Sequence, residues 1–182
     1  MAQSPLSALT LQTHGSKYSA GATGSLFVGA NPSGVTTSAG LATTYVGLVL
    51  SNPAGCAKKL SIRRVAAAFI VAPSIVTGFN LITGFAAGGI TAHTTPITPR
   101  TSLLGGSAVS LGKLDSAATL VGTPLYTMVL GQTQTAVTLA SFSIDLEGGI
   151  ILIPGAYAAI GTTIAGPASG FMGSFEWEEI LN

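Results

Sequence analysis

Charge is the scarcest commodity in this chain. Seven Lys and Arg with six Asp and Glu make 7% of 182 residues charged, against about 25% in an average soluble domain. A lone molecule facing water with so few charges is poorly soluble. Much of its surface is therefore expected to lie against other copies or a partner. Acids are missing altogether from residues 1–112, which hold Lys17, Lys58, Lys59, Arg63, Arg64 and Arg100. Six cations without an acid give that part +6. Lys113 against Asp115, Asp145, Glu147, Glu176, Glu178 and Glu179 gives the remainder −5. Such parts attract, which favours pairing early strands with late ones, within a chain or between chains. The cations never run longer than two, too sparse a footprint for nucleic acid.

Other scarcities exclude chemistry. Cys56 is the only cysteine, so an internal disulfide and a cysteine zinc site are ruled out. His14 and His93 are the only histidines and lie far apart, so no metal site is expected. The opening MAQSPLSALTLQTHG has neither a basic n-region nor a compact apolar h-region, so it is not read as a signal peptide. Residues 65–90 and 150–175 carry no charge, but Gly and Pro interrupt both. Neither offers the 20 or so mostly apolar residues of a spanning helix, and no membrane partner is expected.

Catalytic motifs are equally scarce. Residues 29–36, GANPSGVT, have the glycine spacing of a phosphate loop without its lysine. Residues 166–170, GPASG, lack the spacing of a nucleophile elbow. Asp145 and Glu147 share a strand face, but the turn glycines after them mark a solvated hairpin end rather than an acid/base pair. An enzyme is not expected, and neither catalytic, cofactor-binding nor metal-ligating residues are assigned.

What is present is strand and turn. The chain is 47% hydrophobic with 24 glycines, and no extended amphipathic helix with capping signals is found. Residues 58–72, KKLSIRRVAAAFIVA, read as a long central strand, polar at one end and buried on both faces at the other. A helix through 65–72 is its rival, stopped by Pro73. Further strands are expected at 26–29, 43–51, 74–85, 108–111, 119–121, 125–130, 136–144, 150–153, 156–163 and 171–180, with turns at Gly148-Gly149 and Pro154-Gly155. Residues 1–25 read as an arm with a short strand near Leu9–Leu11. Residues 86–107 read as an irregular connection suited to packing on a neighbour. The expectation is one domain over 26–182, an all-β antiparallel sandwich of about eight to ten strands. In the closing strand Phe171, Gly173, Phe175, Trp177 and Glu179 share one face, and Met172, Ser174, Glu176, Glu178 and Ile180 the other. A central position would put the aromatics in the core and let the acids meet Arg63, Arg64 or the Lys58-Lys59 pair.

The L-x-N-P-x-G of Leu50 to Gly55 before a long strand, and the closing F-x-W-E-E of Phe175 to Glu179, resemble small trimeric jelly-roll virion proteins of tailed bacteriophages. Those are capsid decoration, cement or head-fibre proteins, and the similarity covers about residues 43–182. The resemblance implies a jelly roll, a homotrimer, and docking on a major capsid protein or another virion protein, in a virion built in the host cytoplasm. It supplies no catalytic residues and no cofactor. Assembly contacts are expected from the arm, the 86–107 connection, and Arg63, Arg64, His93, Arg100, Glu176 and Glu178. The alternative function is a receptor- or glycan-binding jelly-roll module of a fibre or tail.

Overall fold

The computed structural model describes residues 17–90, 92–133 and 140–181. Among the described residues twelve strands follow in order: β1 Leu26–Ala30, β2 Thr44–Ser51, β3 Lys58–Phe69, β4 Gly78–Phe85, β5 Ala92–His93, β6 Pro96–Ile97, β7 Arg100–Thr101, β8 Lys113–Thr119, β9 Leu125–Gln132, β10 Ser141–Leu152, β11 Ala156–Thr162 and β12 Phe171–Leu181. Residues 17–22 form a short helical stretch ahead of β1. The expected strand near Leu9–Leu11 and the first residues of the one expected at 136–144 lie outside the described residues. No helix among the described residues is long and apolar enough to cross a membrane.

The strands form two antiparallel sheets, β10-β3-β12-β1-β7 and β5-β8-β2-β11-β4-β9, with β6 also on β8. Eight of them pair as β1·β12, β2·β11, β3·β10 and β4·β9. Early strands meet late ones in nested order, like one long antiparallel hairpin rolled into a sandwich, which is the jelly-roll arrangement. The four remaining strands sit in one insertion between β4 and β9, at the hairpin's tip.

Between the sheets lies an aromatic-rich core that includes Phe27, Leu48, Leu60, Ile62, Val65, Phe69, Phe79, Phe171, Phe175 and Trp177. β12 buries alternate residues from Phe171 to Glu179, as its pattern predicts, and lies between β3 and β1. A second buried cluster, Tyr45, Val49, Ile82, Ala118, Leu120, Tyr157 and Ala159, has Ile90 packed against it. Tyr157 and Ala159 alternate with Ala158 and Ile160 of the first core, so this cluster occupies the outer face of the larger sheet.

Several expectations are corrected. The inner strands of the larger sheet, β2, β11 and β4, rather than the apolar end of β3, are buried on both faces. Ala66 and Ala68 are only half-buried, on the outer face of the smaller sheet. β3 does not alternate throughout, because Ile62 and Val65, three residues apart, both reach the core. The register against β12 shifts between Glu176↔Arg64 and Trp177↔Ile62, leaving Arg63 as an extra residue. That bulge turns Arg63 and Arg64 to the same outer face. Gly148-Gly149 is not a turn between two strands but part of an irregularity inside β10, where Asp145 faces Arg64 and Ile150 faces Ile62. Glu147 and Gly148 take φ values of 51° and 83° there. The strands expected at 108–111 and 119–121 are replaced by β8. Its KLDSAAT has little β-propensity of its own and becomes a strand by pairing with β2. The 86–107 connection is not irregular throughout: β5 and β6 pair with β8, and β7 with β1.

Two tyrosines of the outer cluster lie across glycines. The Tyr45 hydroxyl donates to Ile160 O at 2.6 Å and accepts from Leu48 N at 2.8 Å. Burial pushes its ionisation well above the usual tyrosine range. A Cβ on Gly47 would run into the Tyr45 ring, and Gly47 holds φ +148°. Gly47→Ala is therefore expected to destabilise the fold by about 1–3 kcal/mol. A thermal melt checks this, with Tm falling roughly 2–4 °C for each kcal/mol lost.

Candidate functional site

Charge is concentrated on the outer face of the smaller sheet. Glu176, Arg64 and Asp145 stand side by side across β12, β3 and β10. Arg64 Nε donates to Asp145 Oδ1 at 2.9 Å, and Arg63 pairs with Glu178. The guanidinium of Arg63 also donates to the Glu147 carbonyl at 3.2 Å, which ties the β10 irregularity over it. Lys17 reaches in from the N-terminal helical stretch, 3.0 Å from Asp145 and 3.1 Å from Glu176. Every partner pair joins an early cation to a late acid, as the charge asymmetry predicts, and does so within the chain. Hydrogen bonds from Arg64 and Lys17 hold the exposed Asp145 carboxyl below its ordinary value. Asp145 is thus not the solvated hairpin end expected from the glycines after it.

Four of the six expected contact residues, Arg63, Arg64, Glu176 and Glu178, come together in this cluster. The other two do not join it. Arg100 is exposed on β7 and has no ionic partner among the described residues. His93 is on β5, and its Nδ1 lies 2.6 Å from Asp115 Oδ2. Asp115 is wholly buried, and its Oδ1 has no hydrogen-bond partner in the described structure. Burial pushes its carboxyl above the usual range, opposed by His93 and Lys113. The pair borders a pocket of about 430 Å³ under the insertion.

Two buried acids organise the insertion, one given no role from the sequence and one expected, with the other closing-strand acids, to meet Arg63, Arg64 or the Lys58-Lys59 pair. One is Asp115. The other is Glu179, whose side chain is fully buried. Glu179 Oε1 accepts from the Ser110 hydroxyl at 2.7 Å, Leu111 N at 2.7 Å and Gly112 N at 3.1 Å. Lys58 Nζ donates to its other oxygen at 3.3 Å. The alternation of β12 already pointed Glu179 inward with the aromatics. Its partners in the insertion carried no local signal. No group of three or more metal-ligating side chains occurs among the described residues.

The remaining surface is apolar at its edges. β9 is the outermost strand of the larger sheet and carries no charge. Leu125, Tyr126, Met128 and Val129 are exposed along it, Val129 at 75%. β9 and β10 lie at one side of the sandwich, in contact with each other. At the other side, the 102–112 segment that joins β7 to β8 exposes Leu103, Leu104, Val109 and Leu111, with Leu104 at 86%. The β3–β4 tip exposes Ile70, Val71, Ile75 and Val76. Comparison with known proteins finds no matching family model, curated protein or solved structure.

Two measurements test this description. Glu179→Ala leaves three donors without their acceptor and a partly exposed Lys58 without its carboxylate, and is expected to cost about 3–5 kcal/mol in urea unfolding. Asp145→Asn tests the outer cluster through pH. A carboxyl whose folded pKa is depressed contributes stability above its unfolded value, near 4. That contribution is lost as pH falls through the lower folded value. The variant is expected to be less stable than the parent at neutral pH and equal to it at strongly acid pH. A difference independent of pH would reject the ionic role.

Proposed function

We propose that this chain is a structural virion protein that forms a homotrimer and decorates or cements a bacteriophage capsid. The observation that carries the reading is the placement of the apolar surface. Two different patches, the β9 edge and the 102–112 segment, stand at opposite sides of the sandwich. A two-fold dimer matches one patch to itself, whereas a ring needs two patches that meet head to tail. Edges displayed in this way, long and uncharged, suit burial by another copy better than water. The resemblance of Leu50 to Gly55 and Phe175 to Glu179 to trimeric jelly-roll virion proteins agrees with a three-membered ring.

With both sides used in the ring, the apolar β3–β4 tip is left to meet the shell. Ile70, Val71, Ile75 and Val76 would bury there at about 25 cal/mol per Å² of apolar surface, repeated three times by symmetry. Standard stable interfaces bury about 800 Å² per partner. Arg63, Arg64, Glu176 and Glu178 then act within each subunit, by fixing the register of β3 against β12, rather than across the ring. Nothing in this role needs a cofactor or a nucleic-acid partner.

Sedimentation equilibrium is the direct test. The expected species has three times the 18.1 kDa chain mass. Val129→Lys and Leu104→Asp, one on each patch, are each expected to give a folded monomer, with circular dichroism unchanged. Ile75→Asp is expected to leave the trimer intact and to lower binding to shells stripped of this chain at least tenfold. A wild-type monomer at 100 µM or so, far above typical assembly constants, would refute the ring.

A further inference from the structure

The insertion between β4 and β9 encloses a pocket that borders the 102–112 patch and shares Val109 with it. Its volume, about 430 Å³, falls within the range of small-molecule sites. Its chemistry is lopsided. The donors on one wall are already committed, since the Ser110 hydroxyl and the Leu111 and Gly112 amides all go to Glu179. Pro96 and Pro99 on the opposite wall have no N–H to give. Two acceptors in the lining have no partner among the described residues. The Asp115 carboxylate at 2.6 Å keeps the imidazole proton on Nδ1, which leaves His93 Nε2 as an acceptor with no partner among the described residues. Asp115 Oδ1, in a residue that is 0% exposed, is also unpartnered. Buried polar atoms without partners are rare in folded proteins and mark sites completed by something else. The donors at the rim are the Lys113 ammonium and the Thr98 hydroxyl.

We propose that this pocket binds a hydroxyl-rich small molecule, a sugar or polyol, with His93 and Asp115 as its polar anchor. His93 Nε2 calls for a donor from the ligand while Lys113 and the Thr98 hydroxyl call for an acceptor, which disfavours carboxylates and phosphates, since these only accept. Lys113 on the same lining repels an ammonium, which disfavours amines. A hydroxyl satisfies both conditions, because it donates to His93 Nε2 and accepts from Lys113. Prolines 96 and 99 with Ile97 offer an apolar wall to the C–H face of a sugar ring. The site touches the 102–112 patch through Val109, but its polar anchor, His93 and Asp115, lies outside that patch.

The chain's two histidines provide a built-in reporter and control. In proton–carbon spectra of the full-length protein labelled at histidine, His93 and His14 give separate imidazole signals. The protein is titrated with glucose, galactose, mannose, N-acetylglucosamine, glycerol and inositol. At least one is expected to shift the His93 signals with saturation at millimolar concentration or so, while His14 stays fixed. Thr98→Trp fills the pocket mouth from an exposed position, and Asp115→Asn replaces the carboxylate by an isosteric amide. Each is expected to weaken the response at least tenfold, with the oligomer measured by sedimentation unchanged for Thr98→Trp. No shift of His93 with any of the six at 100 mM or so overturns the proposal. Equal binding by Thr98→Trp overturns it too, by placing the ligand elsewhere. Loss of the trimer in wild type would leave this test standing, so the two readings fail separately.

Discussion

The position of β3 between β10 and β12 is the constraint from which the other placements follow. This one strand takes the cations of the early chain and sets them against the acids of the late chain on one face. On its other face it hands Leu60, Ile62, Val65 and Phe69 to the core. The extra residue at Arg63 makes both assignments compatible. Without the bulge, a two-residue period would send either Ile62 or Val65 outward and drive one arginine into the apolar interior. A register slip of one residue inverts every side chain on a strand, so the ion pairs on the outer face and the aromatics on the inner face enforce the same alignment. The pairs are mostly solvent-exposed and each contributes little energy. Their role is to make other registers worse.

The insertion between β4 and β9 has a comparable effect on the sheet edges. An eight-strand jelly roll leaves four lateral strands with unpaired backbone. Here β8 covers β2, β5 and β6 cover β8, and β7 covers β1. The opposite side receives no such cover among the described residues, and β9 keeps an uncharged open edge. The molecule is therefore asymmetric from side to side. That asymmetry underlies both the ring-forming reading and the pocket, because the residues that cap the β8 edge also roof His93 and Asp115. Glu179 is the link between the sandwich and this roof. A carboxylate in the core strand gathers a hydroxyl and two amides of the 110–112 segment, so β12 organises the insertion as well as the core.

Particular residues show how far the sequence could be read. The inward face of β12 was legible from period-two alternation over Phe171 to Glu179, since nothing interrupts it. The bulge in β3 was not, because KKLSIRRV alternates well on paper, and only the partner strand shows that Arg63 is supernumerary. Gly148-Gly149 carries a strong turn signal, and the chain does take positive φ there. Whether such a pair ends a strand or kinks it depends on whether the next residues return to the same neighbour, and Ile150 returns to Ile62. β8 was missed because KLDSAAT is made a strand by β2 and not by itself. Of the site residues, Arg63, Arg64, Glu176 and Glu178 were found from charge and strand position. Asp115 was missed because its partner His93 is 22 residues away and its burial comes from a segment that looked irregular.

Composition excluded disulfide and cysteine-zinc chemistry, and residue order marked this as a strand protein whose opposite charges lie in different parts of the chain and draw early strands to late ones. Hydrophobic alternation, which depends only on side-chain order, also settled which residues of the last strand face inward. Tertiary structure alone decided where the period breaks, which edges are capped, and which acids are buried. Those outcomes depend on backbone pairing between segments far apart in sequence, and no local pattern encodes the identity of a distant neighbour.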